Sequence, residues 1–168
     1  MKKGSRGFSL IELLIVVAII LIIAAIAIPN LLRSRIAANQ ASAVGSMRTL
    51  NTAEITYATT YNTGFTATLG DMGPPASGSN PSATAAGLID SVLSGGAATA
   101  SSSVKSGYTF LYTAGATDAS GRVDTYSITA TPVTVGTTGT NYYYTDMSGV
   151  IRQNSTTVAA STDSPLAG

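Results

Sequence analysis

The chain has 168 residues, 9 Lys and Arg against 8 Asp and Glu, a formal net charge of +1, and no Cys, His or Trp. Without Cys nothing can be stapled by disulfides or held by thiolates. Without His the commonest general base and metal ligand is missing, so an enzyme is not expected. Charged residues are only 10% of the chain, too few for the dense basic face that nucleic acid requires. The length suits one modest domain plus a membrane helix.

Residues 1–7 are a short basic leader carrying Lys2, Lys3 and Arg6. By the positive-inside rule these charges stay in the cytoplasm and the body of the chain lies across the membrane. Residues 8–28 begin Phe8-Ser9-Leu10-Ile11-Glu12 and continue as an unbroken run of Leu, Ile, Val and Ala to Ile28. As a helix, these residues span ~31 Å, the thickness of a bilayer's hydrocarbon core. Glu12 is the one ionisable side chain in the run. A carboxylate deep in lipid costs on the order of 3 kcal/mol, which marks it as functional. Two plainer readings compete. A secretory signal peptide would use Lys2, Lys3 and Arg6 as its basic region and be cut near Ala25-Ile26-Ala27, but its apolar region is usually only ~7–15 residues and holds no Glu. A simple single-span anchor explains the length and leaves Glu12 without a role.

Pro29 lacks an N–H and crowds the preceding turn, so a kink or local loosening is expected there, with the helix resuming afterwards. Across residues 29–61, Leu32, Ile36, Ala43, Met47, Leu50, Ala53 and Tyr57 recur at helical spacings, interrupted by Gln40. Arg33, Arg35, Arg48 and Glu54 fall among the polar positions. Such a stripe is normally buried against a sheet. The two halves together make one helix of ~80 Å, a length that makes sense if the first half passes from lipid into a bundle with copies of itself. Arg33 and Arg35 lie just past the membrane segment, as interfacial anchors or as partners for acids on neighbouring subunits.

Residues 62–81 are punctuated by Gly and Pro and read as loop. Ser82 is placed to cap a short helix over residues 83–93, ended by Gly95, with a small-residue linker to Ser103. From Lys105 onward the period becomes two. Strands are expected at residues 108–112, 124–130, 142–145 and 150–153, with turns at residues 119–122 and 146–149. In Tyr142-Tyr143-Tyr144 adjacent rings alternate faces, so the triplet is core and sheet surface rather than a stack. Residues 155–168 are polar and small, a mobile tail. The fold expected is α+β, a long N-terminal helix packed on an antiparallel sheet of about four strands. The eight acids are scattered, so Asp side chains are expected to brace turns rather than converge on calcium. No cofactor is implied.

The run Gly7-Phe8-Ser9-Leu10-Ile11-Glu12-Leu13-Leu14-Ile15-Val16-Val17 resembles the N-terminus of type IV pilins and of their type II secretion relatives, the pseudopilins. Gly107-Tyr108-Thr109-Phe110, Ala130-Thr131-Pro132 and the segment from Tyr144 to Arg152 resemble their sheets more weakly. The resemblance implies cleavage after Gly7 by a membrane-bound prepilin peptidase, N-methylation of the new terminus Phe8, and assembly roles for Glu12 and Pro29. Many members close a C-terminal loop with a disulfide, which this chain cannot form. Cleavage would remove three basic residues and leave a mature charge near −2. The function implied is a structural subunit of a type IV pilus-like filament, built on an inner-membrane assembly platform from copies of itself, with Glu12 pairing to a neighbour's N-terminus. The precursor would sit in the inner membrane with its C-terminal domain outside the cytoplasm, and the assembled subunit would be extracellular. Adhesion, twitching motility and secretion share this scaffold, so the fold does not choose among them. A secretion pseudopilin and a membrane-anchored binding domain that never polymerises remain the alternatives.

Overall fold

The computed structural model describes residues 8–166. It contains one long α-helix, α1 (Leu10–Tyr61), a 3-10 turn, η1 (Leu69–Met72), and five strands. These are β1 (Ser102–Lys105), β2 (Tyr108–Ala114), β3 (Tyr126–Pro132), β4 (Tyr142–Asp146) and β5 (Arg152–Asn154). The chain divides into two compact units, Met1–Arg35 and Ile36–Gly168. The fold is α+β, as the change of period from helical to alternating implied.

In the second unit the strands form an antiparallel meander in the order β1-β2-β3-β4-β5. Alternation sets which side chains face the helix. Tyr108, Phe110 and Tyr112 on β2, Tyr126, Ile128 and Ala130 on β3, and Tyr143 and Thr145 on β4 are all buried. The register aligns them in rows, with Phe110 opposite Ala130 and Tyr112 opposite Ile128. Ala43, Met47, Leu50 and Ala53 of α1 complete the core, joined by Leu69, Met72, Ile89 and Leu93 from the loop. Burial on α1 begins in earnest at Ala43, whereas Leu32 is still exposed. Gln40, the interruption in the stripe, donates from Nε2 to Thr140 Oγ1 at 2.8 Å. Its neighbour Asn39 donates to the Thr138 carbonyl at 2.9 Å. Polar residues therefore tie this stretch of the helix to the loop between β3 and β4.

Three expectations are corrected. The short helix over residues 83–93 is absent. The amides of Ala86, Gly87, Leu88 and Ile89 donate instead to carbonyls of Asp71, Met72 and Gly73, and Gly87 takes a positive φ of 68° that no helix tolerates. Asp90 Oδ1 then accepts the amides of Val92 and Leu93, a side-chain turn that competes with helix. Within the expected loop, Thr68 and Asp71 cap η1 reciprocally. The stretch before Lys105, expected as linker up to Ser103, supplies β1, which pairs residue for residue with β2. Up to Leu166 the C-terminal segment is not loose, and residues 167 and 168 of the expected tail lie outside the described residues. Gln153 N donates to Ser164 O at 3.0 Å and Leu166 N to Ile151 O at 2.8 Å, and Arg152 Nη1 donates to Asp163 O at 2.9 Å.

The turns are braced by aspartates. Asp118 Oδ1 accepts the amides of Ser120 and Arg122, and Asp146 Oδ1 accepts that of Ser148, each side chain standing in for a backbone acceptor.

Candidate functional site

Leu10 to Ile28 forms the opening turns of α1, and its side chains find no protein partner. Leu10 is 80% exposed, and even Val17, among the least exposed of the large apolar residues here, is 45% exposed. By length and composition this is the one helix among the described residues able to cross a membrane. Leu, Ile, Val and Ala occupy every side of it, so no rotation could hide it on a single surface.

Phe8 stands before the helix with its ring exposed. Gly7, its partner in the expected cleavage, lies outside the described residues. At the helix start the Ser9 amide donates to Glu12 Oε2 at 2.9 Å, and Leu13 N reaches Ser9 O at 3.2 Å. Ser9 and Glu12 thus stand as N-cap and third helical residue, and the carboxylate satisfies a backbone donor that the helix leaves free. The sequence carried this signal: Ser9-Leu10-Ile11-Glu12 has the Ser-x-x-Glu spacing of a capping box, which a reading of Glu12 as an assembly residue alone passed over. A carboxylate at a helix N-terminus also meets the favourable end of the helix dipole. Pro29 lies within α1, and the helix continues through it. It leaves the carbonyl four residues earlier, that of Ala25, without its helical donor. Pro29 and Glu12 are far apart along the helix and do not meet.

A second group of polar side chains lies in the core of the other unit. Asn51 is buried, donates from Nδ2 to the Gly149 carbonyl at 3.1 Å, and lies 2.9 Å from Thr145 Oγ1. Its Oδ1 accepts from Tyr126 Oη at 3.2 Å. Glu54, assigned from sequence to the polar side of the helix, is fully buried instead. Leu50, Glu54 and Tyr57 share one helical face, so the stripe's spacing runs straight through the glutamate. Thr66 N donates to Glu54 Oε2 at 3.1 Å. Burial pushes the Glu54 carboxyl above its ordinary value, against the opposing pull of the Thr66 hydrogen bonds. Tyr112 and Tyr126 are likewise pushed up, by burial.

Among the described residues no three acidic side chains gather as a metal ion would require. What distinguishes the molecule is therefore an open apolar helix with a carboxylate at its start.

The family model described as "Prokaryotic N-terminal methylation motif" matches residues 2–28. The chain is 52% identical over 50 residues to the type IV major pilin protein PilA of Myxococcus xanthus, a match covering 30% of this chain and 23% of that protein. It is 62% identical over 37 residues to the type IV wide pilus major component PilA4 of Thermus thermophilus, covering 22% of this chain and 28% of that protein. The matches thus span about a quarter of the length of these curated relatives. No solved structure matches the chain.

Proposed function

We propose that this chain, whose residues 2–28 match the prokaryotic N-terminal methylation motif, is a structural subunit of a type IV pilus-like filament. The observation that carries the proposal is the methylation-motif match over residues 2–28, on a segment whose described apolar side chains lie open to their surroundings. The precursor is held in the inner membrane by residues 8–28, with the domain from residue 36 onward outside the cytoplasm. A prepilin peptidase cuts after Gly7, and the exposed amine of Phe8 is methylated.

Assembly then exchanges lipid for copies of the same helix. Apolar faces bury one another, and tight packing of the helices supplies the attraction where lipid offers no hydrophobic gain. A carboxylate inside such a bundle is costly unless paired. The positively charged N-terminus of a neighbouring subunit is the partner for Glu12, and that pairing selects one axial register over others. In the free chain Glu12 already accepts the Ser9 amide, so its carboxylate is held at the end of the helix next to the cleavage junction.

The decisive measurement is intact mass and N-terminal sequencing of protein sheared from the cell surface. The expected product begins at Phe8, carries one added methyl group and sediments with filaments. A product beginning at Ile28 would mean that signal peptidase removed the helix and would overturn the reading. A product beginning at Phe8 without surface filaments would assign the chain to the secretion pseudopilins. Glu12→Ala should leave membrane insertion intact while removing most of the sheared filament yield. Normal filaments from that variant would defeat the pairing.

A further inference from the structure

Glu54 has no part in the assembly just described, and its surroundings are unusual for a carboxylate. It is fully buried. Among the described residues the ion pairs are Lys105 with Asp90 and Arg122 with Asp124, and neither includes Glu54. The titratable groups that face it are Tyr57 on its own helix, Asp71 on η1, Tyr112 on β2 and Tyr126 on β3. None of them is a cation.

The hydrogen positions follow from counting protons. Tyr112 Oη donates to the Thr66 carbonyl at 2.7 Å, which commits the phenol's proton. Thr66 Oγ1 lies 2.6 Å from Glu54 Oε1 and 3.0 Å from Tyr112 Oη. A hydroxyl has one proton to give. If Glu54 is ionised, Thr66 must donate to it, and the contact from Thr66 to Tyr112 holds no proton. If Glu54 is a carboxylic acid, it donates to Thr66 Oγ1, and Thr66 passes its own proton to Tyr112. The remaining oxygen, Oε2, accepts the Thr66 amide at 3.1 Å. The acid gives each of these contacts one proton, and 2.6 Å lies within the O–H···O range.

We propose that Glu54 is carried as a neutral carboxylic acid in the folded domain, and that its proton latches α1 to the first residues of the following loop. The latch holds a short lever. Phe65 N donates to Val123 O at 2.7 Å, and the preceding Gly64 takes a φ of 81° where a side chain would strike the Val123 carbonyl. Deprotonation leaves a buried charge with no cation and removes the donor to Thr66, so the loop start is what yields. The sign is fixed by linkage. The folded chain holds this proton more tightly than the unfolded chain, so the contribution is fully present below the ordinary value of 4.5 and is lost as pH rises through the folded value. Across that window the folded-to-unfolded ratio falls about tenfold per pH unit and then levels.

The test uses the full chain in non-ionic detergent. Glu12 and Glu54 are its only glutamates, so glutamate labelled with carbon-13 at the side-chain carboxyl gives two resonances, assigned by loss of one in Glu12→Gln. The Glu54 resonance should keep its acid position above pH 4.5 and move only at higher pH. Titration at or below 4.5 would overturn the proposal. Glu54→Gln reproduces the acid's pattern, because its Nε2 donates to Thr66 Oγ1 and its Oε1 accepts the Thr66 amide. Its unfolding midpoint should stay level over the pH range in which the parent chain declines. Parallel curves for the two proteins would also overturn the proposal. If the variant fails to fold, the resonance of the parent chain decides alone.

Discussion

Two stretches of the same helix treat apolar surface in opposite ways. From Leu10 to Ile28 the large side chains are exposed on every side, whereas from Ala43 to Tyr57 one stripe is buried, with Met47 and Leu50 at 0% exposure. Backbone geometry is common to both, so the difference lies in the pattern of side chains. A stripe can be satisfied by one sheet, and the β2–β4 face supplies it. An all-round apolar surface can be satisfied only by something that surrounds it, namely lipid or other helices. The second stretch completes its fold within the chain, and the first is completed outside it.

The sharpest way to break this contrast is to damage the core while sparing the open helix. Phe110 is fully buried between the rows of β2 and β3, and Phe110→Ala should cost about 3–5 kcal/mol of domain stability. Chemical denaturation followed by circular dichroism measures it, and membrane association of the same variant should not change. The reverse experiment charges the open helix. Ile20→Lys should weaken membrane partition by about 3 kcal/mol, on the order of a hundredfold, read as loss from the membrane fraction. The denaturation midpoint of the domain should stay where it was. The smallest effect sharpens the contrast from the surface. Lys105 Nζ donates to Asp90 Oδ2 at 2.7 Å with both side chains partly exposed, and Lys105→Ala should cost only about 0.2–1 kcal/mol. The lysine hydrogen bond holds the Asp90 carboxyl below its ordinary 3.8, so this stability is present above that value and lost as pH falls through the folded one. Comparing the two proteins' unfolding midpoints should show the gap closing in acid and narrowing in high salt.

Much of this architecture was legible in the sequence, and the failures share a cause. Tyr108–Ala114 and Tyr126–Pro132 alternate so regularly that their buried faces follow from the residues alone. β1 was missed because Ser102-Ser103-Val104-Lys105 offers a single buried side chain, Ser103, and no apolar alternation. It is a strand because β2 presents an edge to pair with, which is information held elsewhere in the chain. The helix expected near Asp90 failed for the same reason, since its amides are claimed by carbonyls of residues 71–73. Glu54 is the most instructive case. Its spacing placed it in the stripe and its chemistry argued it out, and the partner that reconciles the two, Thr66, lies beyond the end of the helix. At the N-terminus the legible part was local: the Ser9–Glu12 cap and the apolar run are both readable within a few turns.

The C-terminal segment has a consequence for the edge of the sheet. β5 ends the sheet, and an unpaired outermost strand is a template on which a second molecule can add by backbone pairing. Here Ser164 and Leu166 already occupy the backbone groups of Gln153 and Ile151, and Arg152 faces Pro165, a residue with no amide to offer a newcomer. Residues 164–166 seal this rim. Addition of a further strand at the β5 edge is thereby blocked.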